Sequence, residues 1–159
     1  MILENVVLIA AGTLTALLAG VFFGYAVSVN WGLARLKDSE YVRAMQSINI
    51  VIINPLFMLS FMGPAVLLPL AAFLFRGEPG FGLLLAASIV YILGTFIVTI
   101  AGNVPLNDKL AKLRVEESSD IQLAAARKSY EKPWNNLHAV RTAMAVIATI
   151  LIFTAATVR

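Results

Sequence analysis

The chain has 159 residues, of which 60% are hydrophobic and only 13% are charged, about half the charged fraction of a typical soluble domain. One histidine and no cysteine are present, which excludes disulfides and thiolate chemistry and leaves no three- or four-ligand set for zinc, copper or non-haem iron. The net charge of +3 does not indicate nucleic-acid binding, because its distribution matters more than its sum in so apolar a chain.

Four stretches contain no charged residue, at positions 5–34, 44–75, 79–107 and 142–158. A helix needs about 20 apolar residues to cross roughly 30 Å of hydrocarbon. We therefore predict an all-α fold, a transmembrane four-helix bundle with a cytoplasmic or interfacial helical segment between spans three and four. The predicted single membrane domain covers residues 1–159, with spans at about 6–29, 47–75, 81–102 and 138–158 and an amphipathic cytoplasmic segment at about 107–132.

The basic residues are distributed unevenly about these spans. With four spans both termini share one side, and that side holds only Arg76 and Arg159, so ten of the twelve lysines and arginines lie on the other. The positive-inside rule places the basic side in the cytoplasm. We predict a multi-pass membrane protein with both termini outside and basic loops in the cytoplasm. The first span lacks the basic region of a secretory signal and is too long for one, so we expect it to be retained.

Span one carries small residues at every fourth position, and Asn30 and Trp31 mark its cytoplasmic end. Such a stripe lets two helices approach closely, within the bundle or between two copies of the chain. The alternative is a groove beside the stripe that admits a flat ligand. The stripe consists of Gly12, Ala16, Gly20, Gly24 and Ser28.

The next helix is expected to begin at Asp38 or Ser39, either of which could cap it, and to continue into span two. Pro55 predicts a kink there, because proline removes a backbone donor. The polar side chains of this region either bond to neighbouring helices or line a cavity. They are Gln46, Asn49 and Asn54.

Span three ends in the sequence Gly-Asn-Val-Pro-Leu-Asn at residues 102–107. Pro105 predicts that the helix ends near Asn103, and Asn107 then suits the N-cap of a new helix. On this interpretation both asparagines are helix caps. Ser118 and Ser119 predict a break within the amphipathic segment, and Pro133 suits the first turn of the last helix.

Trp134, His138 and Arg141 open the last span and project from one helical face. Tryptophan and arginine are common interfacial anchors, which is the alternative explanation for two of them. The other polar residues, however, also lie toward the cytoplasmic ends of their spans. One shared pocket in the cytoplasmic half explains that asymmetry better than separate caps and anchors.

The predicted pocket combines one titratable base, one fixed cation and several amides in an apolar cleft. That set suits proton abstraction from a flat apolar substrate, with His138 as base and Arg141 or the amides holding the resulting anion. We expect Arg141 to turn inward and bond an asparagine or the carbonyls freed at residues 103–105. Haem held by His138 and a methionine is the alternative cofactor; otherwise no cofactor and no metal are expected.

Three stretches of the chain resemble the anthrone oxygenase-like family, small membrane proteins long catalogued as a domain of unknown function. They are residues 44–49 continuing to Asn54 and Pro55, residues 102–107, and Trp134 through His138 to Arg141 and Thr142. Fungal members oxidise anthrones to anthraquinones with dioxygen, without a metal or flavin. The resemblance implies site positions at Asn49, Asn103, Asn107, Trp134, His138 and Arg141.

Together these observations predict a cofactor-independent monooxygenase whose partners are a lipophilic aromatic molecule, dioxygen and the lipid bilayer. The predicted catalytic residues are His138, Arg141 and Asn103. The predicted substrate-binding residues are Asn49, Gln46, Asn54, Asn107, Trp134 and Trp31. The alternative is a non-catalytic membrane protein that binds or passes on a lipophilic molecule, or an assembly subunit.

Overall fold

The computed structural model describes residues 2–158, and this part of the chain is helical, with no β-strand. Five long helices are joined by short connections, and a single 3₁₀ turn, Val115–Glu117, precedes the last of them. The helices are α1 (Ile2–Leu33), α2 (Asp38–Val51), α3 (Pro55–Leu74), α4 (Phe81–Ala111) and α5 (Asp120–Thr157). Arg159, which entered the charge comparison, lies outside the described residues.

Four of these helices, α1, α3, α4 and α5, are long and apolar enough to cross a membrane. The predicted all-α, four-helix fold is confirmed. Large apolar side chains cover the outer surface of the bundle, as expected where the surrounding solvent is lipid. The cytoplasmic placement of the basic loops remains a prediction, and we call the end of the bundle that carries them the basic end.

The interior contains two apolar clusters. The larger one fills the middle of the four long helices around Leu18, Leu68 and Tyr91. The smaller one lies at the basic end, where Tyr41 and Met45 of α2 pack against α5. Polar side chains also meet between α4 and α5, where the Arg141 guanidinium donates to the Thr99 hydroxyl.

The predicted second span, residues 47–75, is divided in two. Residues 52–54 are not helical, so α2 ends at Val51 and α3 begins at Pro55. The Asn54 side chain accepts a hydrogen bond from the Phe57 N–H at 3.1 Å. The predicted kink is therefore wrong, because asparagine caps a new helix and proline suits its first position, where no N–H is needed.

The start of α2 also differs from the prediction. The helix begins at Asp38, and Lys37 occupies the N-cap position. The Lys37 N–H donates to the Glu40 carboxylate at 3.0 Å. Neither Asp38 nor Ser39 is the cap, since the chain turns into the helix one residue earlier than expected.

Helix α4 continues through Pro105, so its predicted end near Asn103 is wrong. Two stretches before the proline are π-helical, Val90–Ile97 and Thr99–Asn103, and α-helical geometry resumes at Val104. Pro105 falls where the hydrogen-bond pattern changes from π to α, and its missing N–H is tolerated at the start of a new pattern. Asn107 therefore lies inside a helix and caps nothing.

Helix α5 is one continuous helix of 38 residues. Ser119 caps this helix, and the Ser119 N–H donates to the Gln122 side chain at 2.8 Å. The predicted break at Ser118 and Ser119 is therefore present. Pro133 lies inside this helix, so the prediction that it begins the last helix is wrong. At about 1.5 Å per residue α5 is about 57 Å long and projects well beyond a hydrocarbon layer of roughly 30 Å.

At the basic end, Arg127 of α5 holds the segment between α1 and α2. Its guanidinium donates to the carbonyls of Leu36 at 2.7 Å and Ala34 at 3.1 Å, and to the Asp38 carboxylate at 3.1 Å. It also lies 4.5 Å from the centre of the Tyr41 ring. Burial raises the pKa of the Tyr41 phenol above its ordinary value, so this ring remains neutral beneath the cation.

The small-residue stripe of α1 has two different environments. A methyl group added at Gly12 would lie 3.3 Å from Ile152 of α5, so this end packs inside the bundle. Additions at Gly20 and Gly24 would meet nothing within 4 Å. Self-association through the outward half of the stripe stays a prediction.

Candidate functional site

A cavity of about 310 Å³ lies between all five helices near the basic end. This volume is at the small end of the range for small-molecule sites, roughly 300–1,000 Å³. Most of the lining is apolar, and half of the lining residues come from α1, α3 and the connection between α2 and α3. Five predicted site residues line it: Asn49, Asn107, Trp134, His138 and Arg141.

The His138 ring is almost completely buried, and both of its nitrogens have a partner. Nε2 lies 3.0 Å from the Phe22 carbonyl oxygen. Because a carbonyl can only accept, Nε2 carries the hydrogen. Nδ1 then accepts from the Arg141 Nε–H at 3.1 Å. The ring stacks on Trp134 with 5.0 Å between centroids, and its edge meets Tyr25.

Arg141 is buried in the cavity wall, with 7% of its surface exposed. Its guanidinium lies 4.4 Å from the centre of the Phe22 ring and 5.1 Å from that of Trp134. A terminal nitrogen donates to the Thr99 hydroxyl at 3.4 Å. Within residues 2–158 no carboxylate forms an ion pair with it, so no acidic side chain there neutralises this buried cation.

Arg141 does turn inward, but the prediction of its hydrogen-bond partners is wrong. We expected it to bond to an asparagine side chain or to the carbonyls freed at residues 103–105. Its side chain instead bonds to His138 and Thr99. The physical reason is that α4 has no break at these residues, so the expected end-of-helix carbonyls are not present.

A ladder of polar side chains on α4 joins this helix to α5. The Thr95 hydroxyl donates to the Arg141 carbonyl at 3.2 Å, and the Asn103 amide donates to the Trp134 carbonyl at 3.2 Å. The ladder residues follow one another at intervals of four: Thr95, Thr99, Asn103 and Asn107. They therefore share one face of α4 and orient the side of α5 that bears the site.

Asn107 is the last member of this ladder and holds two rings in place. Its side-chain oxygen accepts from the Tyr130 hydroxyl at 2.8 Å and from the Trp134 indole N–H at 2.9 Å. The Asn49 amide donates to the same Tyr130 hydroxyl at 3.3 Å. This network fixes the tryptophan on which His138 stacks.

Asn103 is buried behind the cavity wall and does not line it. Its amide nitrogen bonds to Trp134, while its side-chain oxygen has no hydrogen-bond partner within residues 2–158. Its geometry positions the tryptophan and gives no direct access to a ligand. Asn103 was predicted to be catalytic, but from this position its side chain does not contact a ligand in the cavity.

Three predicted substrate-binding residues lie away from the cavity, so their expected convergence on it is wrong. Gln46 donates to the carbonyls of Leu110 and Leu113 at 2.9 Å each, which satisfies the end of α4. Asn54 caps α3. Trp31 is 71% exposed at the end of α1. Helix-end carbonyls and the interface require polar or amphipathic side chains for reasons unrelated to a ligand.

Several lining or supporting residues were missed by the sequence analysis. The interval of four along α4 would have identified Thr95 and Thr99, and Tyr130 precedes Trp134 by the same interval. Phe22 and Tyr25 contribute ring faces from α1. Nothing in the sequence separates these two from the other apolar residues of that span.

The described residues contain no group of three or more His, Asp or Glu side chains that could hold a metal ion. A haem ligated by His138 would require one of its two hydrogen bonds to break. The arrangement instead provides a neutral imidazole, a cation and flat ring walls.

Comparison with known protein families identifies a match. A family model described as anthrone oxygenase matches residues 57–151. The matched stretch includes Thr99, Asn107, Trp134, His138 and Arg141, whereas Phe22 and Asn49 precede it. No curated protein and no solved structure matches the chain.

Proposed function

The chain belongs to the anthrone oxygenase family, and we propose that it oxidises a planar aromatic substrate of the anthrone type with dioxygen, using its own side chains. The observation that carries this proposal is the buried Arg141 cation, without an acidic partner in the described chain, beside His138 in an apolar cavity. A buried charge is costly unless it is paired. An anionic oxygen of a ligand would provide the missing pairing.

The reaction balances without an external reductant. A base removes one proton from the methylene group of the anthrone, and the resulting anion carries much of its charge on the ring-ketone oxygen. Its electrons reduce dioxygen, a carbon–oxygen bond forms, and protonation gives a hydroperoxide. Loss of the second C–H proton then breaks the O–O bond, giving the new ketone and water. One atom of dioxygen enters the product and the other enters water.

Arg141 has the position to hold the developing oxyanion. Its side chain lines the cavity, and a fixed cation in an apolar site interacts strongly with charge that appears during the reaction. The guanidinium also packs against the Phe22 and Trp134 rings, which restrict its movement. Flat walls also suit a fused-ring substrate, which can stack on them.

His138 can take the proton only after a rearrangement. Its Nδ1 lone pair already accepts from Arg141, and its Nε2–H is bound to Phe22. In our proposal the substrate oxygen draws the guanidinium away, which frees Nδ1 to act as the base. Arg141 therefore both restrains the base and responds to the substrate.

The test is oxygen uptake by the protein in lipid vesicles supplied with 1,8-dihydroxyanthrone, corrected for uptake by empty vesicles. We expect His138→Ala to lower the rate at least about 100-fold, the usual contribution of a general base. Thr154→Ala, which removes an exposed hydroxyl on the same helix, should leave the rate unchanged. Labelled dioxygen should deliver one oxygen atom to the product. Unchanged turnover in His138→Ala would remove this residue from the mechanism.

A carrier of lipophilic aromatic molecules is the second candidate. The observation that favours it is the engaged state of both His138 nitrogens, which suits a structural imidazole as well as a restrained base. Tight binding of the anthrone by the wild-type protein without oxygen uptake would select this function and overturn the oxygenase.

A further inference from the structure

The cavity wall is mainly polar where α4 meets α5 and mainly apolar along α3 and the α2–α3 connection, with Asn49 of α2 adding one further amide. Asn107, His138 and Arg141 line it from α4 and α5, while Ile53, Phe57 and other apolar residues line it from the α2–α3 connection and α3. The polar side is closed by the hydrogen bonds between α4 and α5. An opening for a ligand therefore has to be sought on the apolar side.

Exposed apolar side chains form that opening. Ile53 of the α2–α3 connection is 70% exposed, and Ile100 and Val104, one turn apart on α4, are 46% and 40% exposed. Val21 of α1 and Met62 of α3 also line the cavity and are 48% and 46% exposed. Because these side chains line the cavity and are also exposed on apolar helices, a single layer of side chains separates the cavity from its apolar surroundings at these positions.

The backbone on one side of this opening is held only by local bonds. The hydrogen bonds of residues 52–54 within the described chain all join neighbours within four positions. The Asn54 side chain donates to the carbonyls of Val51 and Ile52, which satisfies the backbone where the helix is broken. The segment can thus shift without losing a bond to another helix.

We propose that the ligand enters the cavity sideways from the hydrocarbon layer, between Ile53 and the Ile100–Val104 edge of α4. We call this opening the lateral portal. The ligand class that fits is a membrane-dissolved planar aromatic molecule whose one anionic oxygen reaches Arg141. The inference rests on the proposed function only for the identity of that molecule, because the route follows from the position of the opening.

The test uses the absence of cysteine from the chain. Met58 lines the cavity and is only half-buried, so Met58→Cys places a single thiol inside the cavity. In lipid vesicles we expect a membrane-dissolved pyrene maleimide to label this thiol and a sulfonated, water-confined maleimide not to label it. Diluting the vesicles at a fixed ratio of reagent to lipid should leave the labelling rate unchanged.

A bulky residue in the portal should slow this labelling. Adding Ile100→Trp should reduce the rate about tenfold, a rise of about 1.4 kcal/mol in the barrier. Adding Ile97→Trp is the matched control, since Ile97 is 45% exposed on the same helix but does not line the cavity. Met62→Cys, exposed at the lip, should be labelled in every background and reports correct insertion.

Equal labelling of Met58→Cys with and without Ile100→Trp would overturn the lateral portal, as would labelling by the water-confined reagent alone. Neither result involves oxygen uptake. Loss of activity in the anthrone assay and loss of the portal are therefore separate outcomes, and each can occur without the other.

Discussion

Replacing Arg141 with methionine removes the buried charge and keeps an unbranched side chain in the same wall. The guanidinium makes hydrogen bonds to His138 and Thr99 and contacts two ring faces. Its desolvation opposes these gains by several kcal/mol. We expect Arg141→Met to change the free energy of unfolding by no more than about 2 kcal/mol in either direction, because lost contacts and relieved desolvation offset each other.

Ligand binding should respond differently. A hydrogen bond to a charged group contributes about 1.5–3 kcal/mol, which corresponds to a loss of about 10- to 150-fold in affinity. The measurement is a fluorescence titration of vesicle-embedded protein with an ionised hydroxyanthraquinone, beside thermal unfolding of the same samples. Arg141→Lys keeps the charge but lacks the planar fork of arginine, so its loss should be intermediate.

Unsubstituted anthraquinone serves as the uncharged control ligand. Its affinity should change little in Arg141→Met, since it carries no anionic oxygen for the guanidinium to bind. An equal loss for both ligands would mean that Arg141 only shapes the cavity. Unchanged affinity for the ionised ligand would refute the assignment of Arg141 as an oxyanion-binding residue.

Two further predictions concern the contact between α4 and α5. Gly94→Ala would place a methyl group 2.3 Å from the Met144 side chain, so we expect the free energy of unfolding to fall by about 1–3 kcal/mol. Gly82→Ala, where the added methyl group meets nothing within 4 Å, should leave the unfolding temperature in detergent unchanged. Equal unfolding temperatures for the two variants would contradict the close packing at Gly94. Asn107→Leu leaves the Trp134 indole N–H without its acceptor. We expect this loss to destabilise the protein by about 1–3 kcal/mol and to change its tryptophan emission. An unaltered emission spectrum and unfolding temperature would show that this hydrogen bond is dispensable.

The helical class and the long apolar helices could be predicted because uncharged length alone decides whether a helix can cross a membrane. The internal breaks could not. Pro55 and Pro105 look alike in sequence, yet the first begins a new helix and the second is accommodated within one. Pro105 is accommodated because π-helical turns precede it, and no residue pattern in the sequence predicts those turns.

The candidate site was predictable where polar residues stand alone in apolar surroundings. Trp134, His138 and Arg141 belong to one face of one helix, so their common orientation follows from spacing alone. Gln46 and Asn54 are equally polar, but they satisfy backbone carbonyls and a helix start. Only the three-dimensional arrangement separates a side chain that serves the backbone from one that borders a cavity.

The Arg127 contacts hold one side of the basic end together. This guanidinium fastens the Ala34 and Leu36 carbonyls to α5, and the hydrogen bond between His138 and Phe22 holds the same two helices together one level deeper. These bonds join α1 to α5 at two levels of the basic end. Residues 52–54 on the opposite wall have only local hydrogen bonds, so a change of shape there breaks no hydrogen bond between helices, whereas one between α1 and α5 does.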